Sequence, residues 1–529
     1  MNDLRRGRIM RIRWLWIAGA LSVGSLFGCG SRNKPIQMAP QSDVDVAVLG
    51  PKVKAFCGEC HAYPQPDTFP REAWAAEVAQ GFMLYDQSGR NDLNPPSQRD
   101  VLAYYQKIAP HELEFSDPTE DPGDPAIFFR TSDRWTSAYR PRSPLWGVAH
   151  LNWLQLNGPA AESTLVACDM MSGELLLFGG LSEQPSVLAQ YQLKAPAHSE
   201  AVDLDQDGLT DLVIADLGLA NPADDRVGRV IWMRRLKADQ LEFEPVVLKS
   251  GLGRVADVQA GDFDNDGDLD LIVAEFGWRR IGSVLLLVNE GVTDGDPTFT
   301  SREIDPRHGA IHVPPIDLDD DGQLDFIALI SQEHETIVAF MNQGDLKFKP
   351  HVLFVSDNPA FGSSGIELTD LDQDGDTDVL YTNGDSFDSR ELKPYHGVQW
   401  LENRGELSFE RHAITPMPGV NRALAADLDG DGDLDIAASA MLPDSTNEAV
   451  PASAVDSVIW LEQVEPGQFA RRRVERGNCN YFNLIIADYD GDGDLDLGTG
   501  NLVESADSRD ARSPQFPYLR VWLNESTGE

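Results

Sequence analysis

The 529-residue sequence predicts a mainly β protein, a seven-bladed β-propeller preceded by a small all-α domain. Three observations carry that prediction. A nine-residue aspartate pattern occurs six times, with first aspartates at 203, 262, 317, 370, 427 and 488, at intervals of 59, 55, 53, 57 and 61 residues. A period of that size marks stacked supersecondary units. Each interval holds the same succession of β-rich runs, and four strands per unit make one propeller blade. Ahead of the repeats stand two runs of helical spacing, "DVAVLGPKVKAFC" and "SQRDVLAYYQKIAP".

The strands follow in a fixed order. A short strand enters the aspartate loop, and "DLVIAD", "DLIVAE" or "DFIALI" leaves it. "VIWMRR", "SVLLLVNEG", "VQWLENRG" or "SVIWLEQ" supplies the third strand, and "LKFKPHVLF" or "LSFERHAI" the fourth. Residues 147–178 keep this rhythm without the acids, with His150, Asn152 and Asn157 where carboxylates would be expected. They read as a metal-free first blade, which brings the count to seven. The last repeat stops after "YLRVWLNES" and lacks its fourth strand, while a compatible run, "DPAIFFRTS", precedes the first blade. An unpaired blade edge exposes backbone donors and acceptors. Ile127 to Arg130 is therefore expected to pair with the final blade.

The chain carries 86 acidic against 43 basic residues, a formal net charge of −43 that argues against binding nucleic acid. Twenty-nine of those acids are aspartates of the six loops. Like charges about 4 Å apart repel by roughly 4 kcal/mol at an effective dielectric near 20, so cations are expected among them. Carboxylates at positions 1, 3, 5 and 9, with a backbone carbonyl at 7, suit a hard cation taking about six to eight oxygens, and glycine at 6 permits the sharp turn. The expected ligands are Asp203, Asp205, Asp207 and Asp211; Asp262, Asp264, Asp266 and Asp270; Asp317, Asp319, Asp321 and Asp325. The remaining three loops offer Asp370, Asp372, Asp374 and Asp378; Asp427, Asp429, Asp431 and Asp435; Asp488, Asp490, Asp492 and Asp496. Magnesium demands stricter octahedral geometry, so calcium, up to six ions, is favoured over magnesium and over metal-free acidic turns. The pattern resembles the FG-GAP/VCBS repeats of integrin-like β-propellers over roughly residues 125–529. That resemblance implies calcium loops on each motif-bearing blade.

The N-terminus reads as an address. "MNDLRRGRIMRIR" is basic, and the apolar "WLWIAGALSVGSLF" of 14 residues is shorter than the roughly 20 a spanning helix needs. "LFGC" resembles the lipobox of bacterial lipoproteins, which implies a signal peptide over 1–28 and lipid on Cys29. An uncleaved anchor, or an incidental Cys29, is the alternative. Residues 29–47 read as a polar tether, and Gly30 after the cysteine favours the outer membrane. The implied location is the bacterial cell envelope, facing the periplasm or the surface, with the membrane as one partner.

Cys57-Gly58-Glu59-Cys60-His61 is the c-type haem attachment pattern: two thiols for the haem vinyl groups and an adjacent imidazole for the iron. A zinc or redox-active CxxC is the alternative, and no second CxxC or His pair lies nearby in sequence. Residues 48–112 resemble a small cytochrome c domain, which implies one covalent haem c on Cys57 and Cys60 with His61 as an iron ligand. Met83, between the two helical runs, is the expected sixth ligand, and His111 is its rival. Residues 113–124 read as an acidic, proline-rich linker to the propeller at 125–529.

Two further sets of residues stand out. Five residues before each first aspartate stand His198, Asp257, His312, Gly365, Arg422 and Asn483, polar walls of a water-filled channel or a site within it. Cys168 and Cys479 are either a disulfide or small core residues. The favoured function is a lipid-anchored mono-haem c-type cytochrome whose propeller offers an interaction or ligand-binding surface, with a redox partner protein, in envelope electron transfer. The alternatives are a haem-linked dehydrogenase oxidising a small molecule or sugar in the channel, and a surface adhesion or sensor protein. No nucleophile–base constellation assigns a catalytic residue.

Overall fold

A computed structural model describes residues 44–115, 127–136, 138–156, 162–179, 184–293, 295–387, 389–443, 455–503 and 517–526. The proposed signal peptide, Cys29, the tether up to residue 43, most of the 113–124 linker and Asn157 lie outside the described residues.

Seven antiparallel sheets form the propeller. Blade 1 holds Trp146–Leu154, Thr164–Asp169, Glu174–Gly179 and Ser186–Gln192. Blade 2 runs from Pro196–Val202 to Phe243–Leu252, blade 3 from Val255–Gly261 to Asp296–Asp305, and blade 4 from Ala310–His312 to Phe348–Val355. Blade 5 runs from Ser363–Thr369 to Phe409–Pro416, and blade 6 from Val420–Ala426 to Gln468–Arg476. First strands of successive blades touch all the way round, and the first strand of blade 1 meets Ile485–Ala487 of blade 7. The ring is closed.

Burial explains the strand sequences. Every residue of Asp211–Asp216, Asp270–Glu275 and Asp325–Ile330 is buried, because neighbouring blades cover both faces of each second strand. Continuous apolar runs are the signature of such doubly covered strands. Ser186–Gln192, an outer strand, alternates between exposed and half-buried positions instead.

Blade 7 combines Ile485–Ala487, Asp496–Gly500 and Leu519–Ser526 with Ile127–Thr131 as its fourth strand. Ile127 lies opposite Ser526 and Thr131 opposite Trp522. Ile127 is buried with Leu428, Trp460 and Trp522, whereas Phe128 points outward, 54% exposed. The expected clasp is present. A second seam joins blade 7 to blade 1, where Leu502 and Val503 pair with Gly147 and Trp146.

The first blade differs from expectation, and the cysteines take the second of their two readings, as small core residues. His150 lies opposite Cys168 on the innermost strand, just as His198 lies opposite Ala215 in blade 2. His150 and Asn152 are therefore equivalents of His198 and Glu200 on the innermost strand, and not of the loop aspartates. Counting along the same strand, Gln155 is the counterpart of Asp203. Cys168 packs with Val166, Leu175 and Leu212 between blades 1 and 2, whereas Cys479 packs with Ala440, Leu442 and Ile459 of blade 6. The two cysteines face different cores and do not join.

Among the described residues, three helices, Val46–Cys57, Trp74–Ser88 and Gln98–Ile108, precede the propeller. Asp45 caps the first by accepting from the Ala47 and Val48 N–H groups at 2.9 and 3.4 Å, and Ser97 caps the third through Asp100 N–H at 3.1 Å. Gly89, at φ 68°, ends the second in the left-handed region that glycine reaches without steric cost. Their shared core contains Val53, Phe69, Trp74, Val78, Val101 and Tyr105, and Trp74 stacks on Tyr105 with ring centroids 3.6 Å apart. Met83 is not in a connection between two helices. It lies inside the second of three, 49% exposed. The helical segment touches blade 5 and the loop before it: Ala360 packs against its core, and Lys393 Nζ sits 5.8 Å from the Phe69 ring centroid.

Candidate functional site

Each aspartate loop leaves an innermost strand, so all six share one face of the ring. Within a loop the roles divide by position. In the first copy Asp203 accepts from the N–H of Asp207 and Gly208 at 3.1 and 3.0 Å, and Asp207 accepts from Leu209 N–H at 2.8 Å. The second, third and fourth copies repeat this from Asp262, Asp317 and Asp370. Gly208 at φ 86° and Gly267 at 95° make the turn, and the residue at position 4 is also left-handed, from Gln206 at 58° to Gly491 at 82°. Asp427 and Asp488, whose loops carry glycine at that position, accept from Gly430 and Gly491 N–H at 2.8 and 2.6 Å, and Asp488 also keeps the bond from Gly493 N–H at 3.2 Å.

Carboxylate oxygens converge in the first three turns. Those of Asp203, Asp205 and Asp211 lie within 4.8 Å of one another, as do those of Asp262, Asp264 and Asp266 and of Asp317, Asp319 and Asp325. Asp205 Oδ1, Asp264 Oδ1 and Asp490 Oδ1, all at position 3, are buried without a hydrogen-bond partner. Burial raises the proton affinity of Asp205, Asp264 and Asp490, and like charge from their neighbours adds to it. A group of inward-facing carboxylate oxygens with unfilled acceptor capacity fits a hard cation.

The ninth aspartate does something the pattern alone did not reveal. Asp270 accepts from Asn289 N–H at 2.7 Å and Phe263 N–H at 3.2 Å, tying the loop to the third strand. Asp325, Asp378, Asp435 and Asp496 make the same two bonds. Its third-strand partner is often asparagine, and that side chain reaches onward: Asn342 Nδ2 donates to Phe263 O of the preceding blade at 2.8 Å, and Asn524 Nδ2 to Leu428 O at 2.7 Å. The recurring "NEG", "NQG" and "NRG" carried this signal, because the glycine N–H returns to the asparagine Oδ1 in all three. At the loop tips Gln206 Nε2 reaches Asp268 Oδ1 of the next blade at 2.8 Å, and Gln373 Nε2 reaches Gly432 O at 2.9 Å.

The axis forms a second cluster. His198, Asp257, His312, Gly365 and Arg422 each follow a bulge on an innermost strand, and His150 joins them. His150 stacks on His198 at 4.1 Å, His198 Nδ1 lies 3.3 Å from Asp257 Oδ1, and His312 Nδ1 lies 3.8 Å from Asp257 Oδ2. Burial lowers the His312 imidazole to about 3, and burial also disfavours charge on His150, whereas Asp257 and Glu200 raise His198. Arg422 donates to Ile366 O at 2.7 Å, and Asn483 to Val148 O at 2.5 Å.

A model of the FG-GAP-like repeat matches residues 203–273 and 317–381. The chain carries FG-GAP-like repeats. No curated protein matches it. The matched FG-GAP-like segments run from the first aspartate of blade 2 into the second strand of blade 3, and across the same stretch of blades 4 and 5. They contain four of the six loops.

On the helical segment, Cys57 ends the first helix half-buried, and Cys60 is exposed with its sulfur 3.4 Å from Arg90 Nη1. Burial pushes the Cys57 thiol up to about 11, which disfavours the thiolate a redox CxxC uses. His61 Nδ1 lies 2.7 Å from Ala62 O and donates to it. Phe56 packs on Phe82 and Tyr85 at 5.3 and 5.1 Å. His111 Nε2 lies 2.9 Å from Arg71 Nη1, which accounts for that rival ligand otherwise.

Proposed function

We propose that this chain is a lipid-anchored electron carrier of the bacterial envelope, with one covalent haem c on its helical segment and calcium in its aspartate loops. The observation that carries the redox half is the His61 ring. Its Nδ1 is held by the Ala62 carbonyl and its Nε2 is left for a metal, beside two thiols at the spacing haem attachment needs. When bound, haem supplies one-electron exchange. Cys57 and Cys60 would hold it, and His61 and Met83, the latter at the exposed side of the second helix, would ligate its iron. The propeller, seated against the helical segment through Ala360 and Lys393, presents the surface for a redox partner or ligand.

The calcium half rests on the unpartnered oxygens of Asp205, Asp264 and Asp490 among converging carboxylates. Protein produced in a host that matures cytochromes should show a c-type spectrum retained after denaturation. Cys57→Ala or Cys60→Ala should disrupt the two-thioether attachment, and His61→Ala should remove the proximal ligand. Zinc in place of haem in the mature protein would end the reading. A second reading, oxidation of a small molecule in the channel, is favoured by the linked His198, Asp257 and His312 on the axis. Substrate-dependent haem reduction by the purified protein separates the two.

A further inference from the structure

On the face opposite the aspartate loops, the connection between blades 3 and 4 meets the turn between the second and third strands of blade 4. His308 comes from the first, Glu333 and His334 from the second. His308 Nε2 lies 3.1 Å from Glu333 Oε2, and the two imidazole rings stand edge to face at 5.2 Å. One ligand atom from each of the three residues lies within 4.8 Å of the other two. His334 Nε2 is buried and has no hydrogen-bond partner.

The backbone carrying these side chains is held in place. Gly309 N–H donates to Phe276 O at 2.9 Å, Ser331 N–H to Gly309 O at 2.8 Å, and His334 N–H to Ser331 O at 3.3 Å. Gly282 makes room for the His308 side chain, since a Cβ there would come within 2.6 Å of His308 Cβ. Arg307, the nearest cation in sequence, is occupied by Asp305 through bonds of 2.8 and 2.7 Å. A plain His–Glu ion pair accounts for His308 and Glu333. It leaves the buried His334 Nε2 unexplained.

We propose that His308, Glu333 and His334 form a binding site for a borderline divalent ion of the zinc type, separate from the six aspartate loops. Two imidazoles and one carboxylate suit zinc, whose bonds to such ligands are about 2.0–2.2 Å, and discriminate against calcium, which takes oxygen ligands. Glu333 is 34% exposed and His308 14%, so the cluster opens on one side to solvent. Three protein ligands and one position for water make an open site, in contrast to a closed four-residue structural one.

The test uses the full-length holoprotein, stripped with chelator and returned to excess calcium, then titrated with zinc in a calorimeter. Wild type should take up one more equivalent of zinc than His334→Ala or Glu333→Gln, while Asp264→Ala should match wild type. Cobalt should give visible bands in wild type that disappear in both site variants. Zinc bound at the Cys57–His61 motif is common to all four proteins and cancels in the comparison. Unaltered calcium-dependent melting certifies that His334→Ala and Glu333→Gln are folded, a single cooperative melting transition certifies Asp264→Ala, and Glu333→Gln, at the exposed side, serves if His334→Ala does not fold. Equal zinc stoichiometry in wild type and the folded site variants overturns the proposal, as does loss of the zinc equivalent in Asp264→Ala.

Discussion

Phe129 lies antiparallel to Asn524, so the earliest strand of the propeller and its last meet within one blade. Asn524 does more than pair. Its N–H reaches Asp496 Oδ1 at 2.7 Å and its amide reaches Leu428 O of blade 6 at 2.7 Å. Closure, loop and neighbouring blade are thus joined at one residue.

Ile127→Ala should cost about 2–5 kcal/mol, as for a large aliphatic side chain removed from a core, because Ile127 packs on Leu428, Trp460 and Trp522. Phe128→Ala, on the outward side of the same strand, should stay within about 0.5 kcal/mol. Denaturant midpoints of the two variants compare them directly. Equal losses would mean that the strand contributes backbone pairing alone.

Asp264→Ala should remove one calcium from the metal count. Asp268→Asn should retain it, because Asp268 points sideways to Gln206 rather than into the turn. Each independent site stabilises by about 2.7 kcal/mol at a hundredfold excess of ligand over its dissociation constant. Chelation should therefore lower the melting temperature of Asp268→Asn about as much as that of wild type, and that of Asp264→Ala less.

Asp325→Asn should destabilise even in chelator. Its two oxygens receive Leu318 and Asn342 N–H, so the amide leaves one buried donor facing another, at about 1–3 kcal/mol. A loss that appeared only in calcium would show that the ninth aspartate acts through the ion alone.

Glu335 gives the pH dependence. Burial raises its carboxyl from 4.5 to about 7, against the opposing help of Ser363 and Gly362 N–H. The folded form keeps the proton where the unfolded form has released it. The contribution is therefore complete below 4.5 and declines as pH rises through about 7, with a slope of up to about 1.4 kcal/mol per pH unit. Glu335→Gln should flatten that stretch of the stability–pH curve. An unchanged slope in the variant would assign it to other groups.

The aspartate loops and the clasp were legible because both are local statements: a nine-residue pattern around a left-handed glycine, and a repeat short of one strand. What failed was long-range. The sequence aligns His150 with the loop carboxylates because blade 1 has no aspartate loop to set the register, and the bulge after Val148 aligns it with His198 instead. For Cys168 and Cys479 the sequence left a disulfide and a core role open, and only the packing of the blades shows that each fills a separate core. His308 and His334 stand 26 positions apart on two connections, with nothing in either segment to announce the other. The asparagine latch was visible as "NxG" but has meaning only once the preceding blade supplies its carbonyl.

The closing strand also sets an order of events. Arg130 and Glu525, paired across blade 7, are separated by 395 residues. Contacts of such span are slow to form, because chain entropy must be given up before they return anything. A ribosome delivers residues 127–131 before any blade and their partner strand after the other six. Until then blade 7 has no third strand to receive the clasp, and the waiting segment must stay unmated through the synthesis of nearly four hundred residues. The docking of Ile127–Thr131 on Leu519–Ser526, rather than the completion of any single blade, decides when this molecule becomes a ring.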